Sequence, residues 1–158
     1  MKKLKLYVET SVWNFLFAED APDKRALTER LFEEIETGKY DIFISDVVEK
    51  ELGNAPEEVE NRLVGALKKY RPKMLEYSEE SRGLVYYYIG NGLLSEEQLA
   101  DLSHVALATE NEIDILVSWN LKHIVRMKTK TMVNELNHLR GLRGIEICTP
   151  KEVLEYDR

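Results

Sequence analysis

Short apolar runs alternating with helically periodic segments constrain this chain more than any other feature. Leu4, Leu6 and Val8 alternate with Lys5 and Tyr7, the period of a strand. Ile42-Phe43-Ile44 is a continuous apolar run of the kind a parallel sheet buries on both faces. Asp114 to Ser118 and Ile145 to Cys148 supply two further strands. Between them, Ala26, Leu27, Leu31, Phe32 and Ile35 recur at helical spacing until Gly38, and Thr10-Ser11 reads as the cap of a helix over Val12 to Phe17. Ser95-Glu96-Glu97-Gln98 is a capping box opening a helix to about Glu110, and Thr149-Pro150-Lys151-Glu152 opens another with proline at its first position. Strands that alternate with helices predict a three-layer α/β fold, a central parallel sheet with helices on both faces and right-handed crossovers. Residues 56–70 and 79–89 read as a helical hairpin inserted into that framework. The 158 residues are enough for one domain with a real core, and one domain over 1–158 is the expectation.

With 44% hydrophobic and 32% charged residues, the composition is that of an ordinary globule. No run of about 18 apolar residues exists, so no membrane span is expected. Met1-Lys2-Lys3 leads into a strand without the apolar stretch of a secretory signal, which makes the cytoplasm the expected location. The single cysteine, Cys148, excludes an intramolecular disulfide and reads as a packed thiol. Formal net charge is −7, which argues against a polyanionic partner. Residues 122–143, however, hold six cationic side chains against Glu135 alone, a local +5 that leaves −12 on the rest. Two readings stand for that segment: a basic edge for nucleic acid, or a solvated helix face.

Oxygen-bearing side chains recur where strands end. Glu9 closes the first strand, Asp46 or Glu51 follows the second, and Asn120 follows Val117-Ser118-Trp119. Asp101 sits one turn into its helix at the margin of the buried side. In open α/β sheets ligands collect beyond the carboxyl ends of the strands, and a hard cation such as Mg²⁺ or Mn²⁺ takes oxygen ligands, so these positions are candidates to hold one or two such ions. Thr10 and Ser11 either cap the first helix or bond a phosphate or carboxylate there. His104, three residues after Asp101, is a metal or carboxylate partner or else an interior histidine bonded to a backbone carbonyl. His123, beside Lys122 and Arg126, contacts substrate phosphate or is simply exposed. Trp119 stacks on a base or is buried behind the site. Tyr86-Tyr87-Tyr88 and Trp13, Phe15 and Phe17 suit helix packing or a subunit interface. No HExxH or cysteine pair supports zinc, and no GxGxxG or GxxxxGK[ST] supports a nucleotide.

Tyr7-Val8-Glu9-Thr10-Ser11-Val12-Trp13, Ile44-Ser45 with Val48, Glu51 and Leu52, Asp101-x-x-His104-x-Ala106-x-Ala108, and Asp114 to Asn120 followed by Lys122-His123 resemble, in order and spacing, PIN-domain proteins, the group that contains VapC-type toxins. The likeness runs from residue 4 to Thr149-Pro150-x-Glu152. It implies a Rossmann-like, Mg²⁺- or Mn²⁺-dependent endoribonuclease, the toxin half of a toxin–antitoxin pair, with RNA as substrate, a small antitoxin protein as partner, and a homodimer. By position it implies Glu9, Glu51, Asp101 and Asn120 as catalytic and metal residues, with Thr10, Ser11, Lys122, His123 and Arg126 toward substrate. Glu9 stands where the family usually has aspartate, one methylene shorter, and Asn120 where a fourth aspartate is common. Those departures sustain a rival reading, a catalytically weak RNA-binding or protein-interaction module. A metal-dependent phosphatase is a third, though it gives the basic segment no role.

Overall fold

The structure, a computed structural model, describes residues 2–156. Five parallel strands, β1 (Leu4–Val8), β2 (Tyr40–Ser45), β3 (Lys73–Leu75), β4 (Ile115–Val117) and β5 (Glu146–Cys148), form one sheet in the order β3-β2-β1-β4-β5. The register pairs Leu6 with Ile42 on one side and with Ile115 on the other, so β1 is the central strand, and Leu6, Tyr7 and Val8 are all fully buried. The chain leaves β1 toward β2 and β3, then returns to add β4 and β5 on the opposite side. The carboxyl ends of β1 and β4 therefore flank the point where strand order reverses, the crevice in which such sheets collect ligands.

Helices α1 (Thr10–Phe15), α2 (Pro22–Glu36), α4 (Glu57–Tyr70) and α8 (Pro150–Glu155) cover one face. Trp13, Phe32 and Tyr70, one from each of the first three, stack with ring centroids 4.7–6.5 Å apart. On the other face lie α5 (Glu79–Gly90), α6 (Leu99–Glu110) and α7 (Met127–Leu139). A buried polar knot joins these three: Tyr88 Oη donates to Asn137 Oδ1 at 2.6 Å, and Asn137 Nδ2 to Thr109 Oγ1 at 3.3 Å. The short α3 (Asp46–Leu52) bridges the faces at the carboxyl edge, touching α1 and α6.

Two expectations change. The stretch 56–92 is no inserted hairpin: α4 is part of the crossover that leads to β3, whose Ile44–Met74 pairing extends the sheet. Helix α1 begins at Thr10 with Glu9 in the N-cap position, and neither Thr10 nor Ser11 serves as its cap. Tyr88 is buried, Tyr87 half-buried and Tyr86 exposed, so the tyrosine run packs chiefly within the chain. Cys148 is half-buried, and burial pushes its thiol up to about 11. Among the described residues no helix is long and apolar enough to cross a membrane.

Candidate metal centre

The site begins where β1 stops. Glu9 N still donates to Val117 O at 3.0 Å, so residue 9 is held against β4 as if the strand continued. Its side chain makes no cap bond to α1 and points into the cluster, 5% exposed. There Oε1 accepts from Ser11 Oγ and Ser118 Oγ, both at 2.5 Å. Each serine in turn accepts a backbone N–H from the β4 turn: Trp119 N to Ser11 at 2.9 Å, Asn120 N to Ser118 at 2.9 Å. Two hydroxyls thus clamp the carboxylate and the turn to each other.

Glu51 comes from the last turn of α3. Its Oε1 accepts from Thr10 Oγ1 at 2.6 Å and lies 2.6 Å from His104 Nε2. Beyond His104 the polar chain continues to Tyr7 Oη, 2.7 Å from Nδ1, and to Ser45 Oγ, 2.7 Å further on. Burial of the His104 ring works against its charged form, but the Glu51 hydrogen bond and the charges of Glu9, Glu51 and Asp101 outweigh it, and the pKa is raised. Burial acts to raise the Glu51 pKa; the His104 and Thr10 contacts prevail and lower it. The two shifts agree in favouring the ion pair.

Asp101, in the first turn of α6, accepts from Asn120 Nδ2 at 3.1 Å and faces His123 Nδ1 at 3.1 Å. Burial raises its pKa first, and the negative charges of Glu9 and Glu51 add to that against the relief from His123 and His104. Three carboxylates from β1, α3 and α6 thus share one edge, crowded enough to feel one another. Ligand atoms of Glu9, Glu51 and His104 lie within 4.8 Å of each other, and Asp101 stands beside them.

The donor set fits a hard divalent cation. Every hydrogen bond to Glu9 and Glu51 ends on Oε1, so among the described residues no donor reaches either Oε2. Oxygen atoms of negative charge without internal donors are what Mg²⁺ or Mn²⁺ requires. Asn120 is more occupied: Nδ2 goes to Asp101, and Oδ1 accepts from His123 N at 2.9 Å, so it ties the turn to Asp101.

The structure brings Glu9, Thr10, Ser11, Glu51, Asp101, Asn120 and His123 together. Lys122 and Arg126 are exposed on the turn before α7, Arg126 Nη1 donating to Lys122 O at 3.3 Å. Trp119 is buried behind the site with Nε1 on Thr28 Oγ1 at 2.8 Å. His104 is interior, but its partners are Tyr7 and Glu51, not a backbone carbonyl. Tyr7, Ser45 and Ser118 join the site without having been among its sequence candidates. Tyr7 was signalled by parity, since residues 7 and 9 of an extended strand share a face. Ser118 was signalled by position: the residue just past the end of β4, two before Asn120, it faces the cluster from the strand next to the one that carries Glu9.

No family model and no curated sequence matches the chain. Solved structures do. A chain of the VapBC2 complex from Rickettsia felis bound to a DNA fragment from their promoter superposes with a TM-score of 0.58 at 15% identity, covering 92% of this chain and 98% of that one. DNA-bound VapBC from Salmonella typhimurium gives 0.57 at 17% identity, over 93% and 98%. A toxin–antitoxin complex from Klebsiella pneumoniae gives 0.56 at 17%, over 77% and 92%. At such identities the likeness is one of architecture: the chain shares its α/β fold with chains of these VapBC and toxin–antitoxin complexes.

Proposed function

We propose that this protein is a Mg²⁺- or Mn²⁺-dependent endoribonuclease acting as the toxin of a toxin–antitoxin pair. The observation that carries the reading is the gathering of Glu9 and Glu51 at the strand-order reversal, with Asp101 near enough to feel both charges and, among the described residues, no donor on Oε2 of either glutamate. A bound cation supplies Lewis-acid polarisation of a phosphodiester and a water of lowered pKa. Glu9, Glu51 and Asp101 hold it; Asn120 and His123 orient Asp101; Ser11, Ser118 and Thr10 fix the two glutamates. Lys122 and Arg126, exposed beside Asn120, bind phosphates flanking the scissile one. The toxin–antitoxin complexes whose chains share this fold support an antitoxin partner, whose basic side chain would neutralise the same carboxylates; the resemblance adds a homodimer.

Purified protein and a mixed RNA ladder test this. Cleavage is expected with Mn²⁺, none with EDTA, and a loss of at least about 100-fold in Asp101→Asn. Because burial and two neighbouring carboxylates disfavour charge at Asp101, that variant is also expected to melt at or above the wild-type temperature in chelator. Asn120, with both amide atoms already bonded, supports the second reading, a weakly catalytic RNA-binding or protein-interaction module. RNA retained but uncut in Mn²⁺ would favour it.

A further inference from the structure

Glu51 is carried on a helix of only seven residues, of which Val48 and Leu52 alone are buried, so packing by itself does little to orient it. A single polar thread does more. It leaves α3 at the N-cap, where Ser45 Oγ accepts from Val48 N at 3.2 Å, passes through Tyr7 of β1 and His104 of α6, and re-enters α3 at Glu51. Ser45, Tyr7 and His104 are each 0% exposed.

The chemistry of the end group fixes the bond that reaches it: an ionised carboxylate only accepts, so His104 Nε2 carries a proton and donates to Glu51. Nδ1 is taken up by Tyr7 Oη in either charge state of the ring, donating to it in the ion pair and accepting its O–H when the ring is neutral. In both states neither ring nitrogen has a lone pair left for a metal. The donor that reaches Glu51 consumes Oε1, together with Thr10, and leaves Oε2.

Resting on the nuclease reading above, we propose that Tyr7 and His104 are positioning residues that hold Glu51 in its cation-binding orientation, and that His104 is not itself a ligand. Groups that orient a ligating side chain typically influence metal affinity by about 10–100-fold. Tyr7, two hydrogen bonds from Glu51, belongs at the low end of that range and His104 at the high end.

Mn²⁺ binding to the full chain, read from the electron paramagnetic resonance signal of free Mn²⁺, tests this without reference to cleavage. Expected are a loss of about 10-fold for Tyr7→Phe and about 100-fold for His104→Ala. His104→Gln, which keeps an N–H directed at Glu51, should recover most of the alanine loss. Wild-type affinity in Tyr7→Phe would overturn the proposal, as would a His104→Gln variant no better than His104→Ala. Should His104→Ala fail to fold, Tyr7→Phe measured against wild type still decides. A wild-type chain that binds no Mn²⁺ would overturn the nuclease reading and this inference with it, whereas normal wild-type binding with an unaffected Tyr7→Phe would remove this inference alone.

Discussion

Glu9 reaches the cluster with one more methylene than an aspartate, and two serines make use of that length. Both Ser11 and Ser118 donate to its Oε1 at 2.5 Å while each receives a backbone N–H from the β4 turn. Ser118 is fully buried, so removing its acceptor strands a hydroxyl and loosens the turn that carries Asn120. Glu9→Asp, drawing the carboxylate back, is therefore expected to cost about 1–3 kcal/mol in urea denaturation. Glu9→Gln preserves length and offers Oε1 to both serines but puts an amide where Oε2 stood. It should hold nearly full stability in chelator while losing Mn²⁺-induced stabilisation. Equal stability of the two variants would show that length at position 9 is irrelevant to the turn.

Among the elements, β5 is held by a side chain as well as by its ladder. Asn134 of α7 accepts from Ile145 N at 2.9 Å and donates to Ile145 O at 3.1 Å, and a Cβ on Gly144 would stand 2.7 Å from that Oδ1. Gly144→Ala must push the amide off Ile145, and a loss of about 1–3 kcal/mol is expected. Gly83→Ala, on the exposed side of α5 with open space around it, should instead gain up to about 1 kcal/mol. A second tie sits before β4: Asp114 accepts from Lys5 N at 2.8 Å and pairs with Arg143. Its pKa is lowered, since these contacts outweigh a burial effect that acts to raise it. A depressed folded-state value means the contribution is whole above the ordinary 3.8 and fades as pH falls below it. Wild type and Asp114→Asn should thus differ in melting temperature at pH 7 and converge in acid; a constant gap would refute the ion-pair account. Neither tie was legible in sequence, because both join residues whose proximity is created by the crossover. The strand β3 escaped for a different reason. Lys73-Met74-Leu75 is short, largely exposed and preceded by Pro72, so neither apolar run nor alternation marks it. The four strands that were legible each contribute fully buried residues to the sheet.

For the whole molecule, the order of strands and helices was readable because periodicity is local, and the gathering of Glu9, Asp101 and Asn120 was readable because parallel topology sends the relevant ends to one edge; topology left Asp46 and Glu51 as alternatives, and only the resemblance singled out Glu51. What stayed hidden was the use of charge. The excess of +5 over residues 122–143 left two readings open, a basic edge or a solvated helix face. In the fold Arg143 is committed to Asp114, Arg140 lies over the Tyr87 ring at 4.6 Å, and Lys130 faces Glu152 at 3.8 Å. Lys122, Arg126 and Lys128 remain exposed on the segment that runs from Asn120 into α7. Three phosphate contacts on single-stranded RNA predict a slope of about −2 for log affinity against log salt, while all six cations would give about −4. Fluorescence anisotropy of a labelled RNA on the Asp101→Asn protein, titrated across monovalent salt, measures the slope directly. Near −2, with Lys122→Ala reducing it by roughly one phosphate's share, binding is confined to the edge beside the carboxylates. Near −4, RNA must break the ties of Lys130, Arg140 and Arg143, and the far end of α7 would have to be redrawn as part of the binding surface.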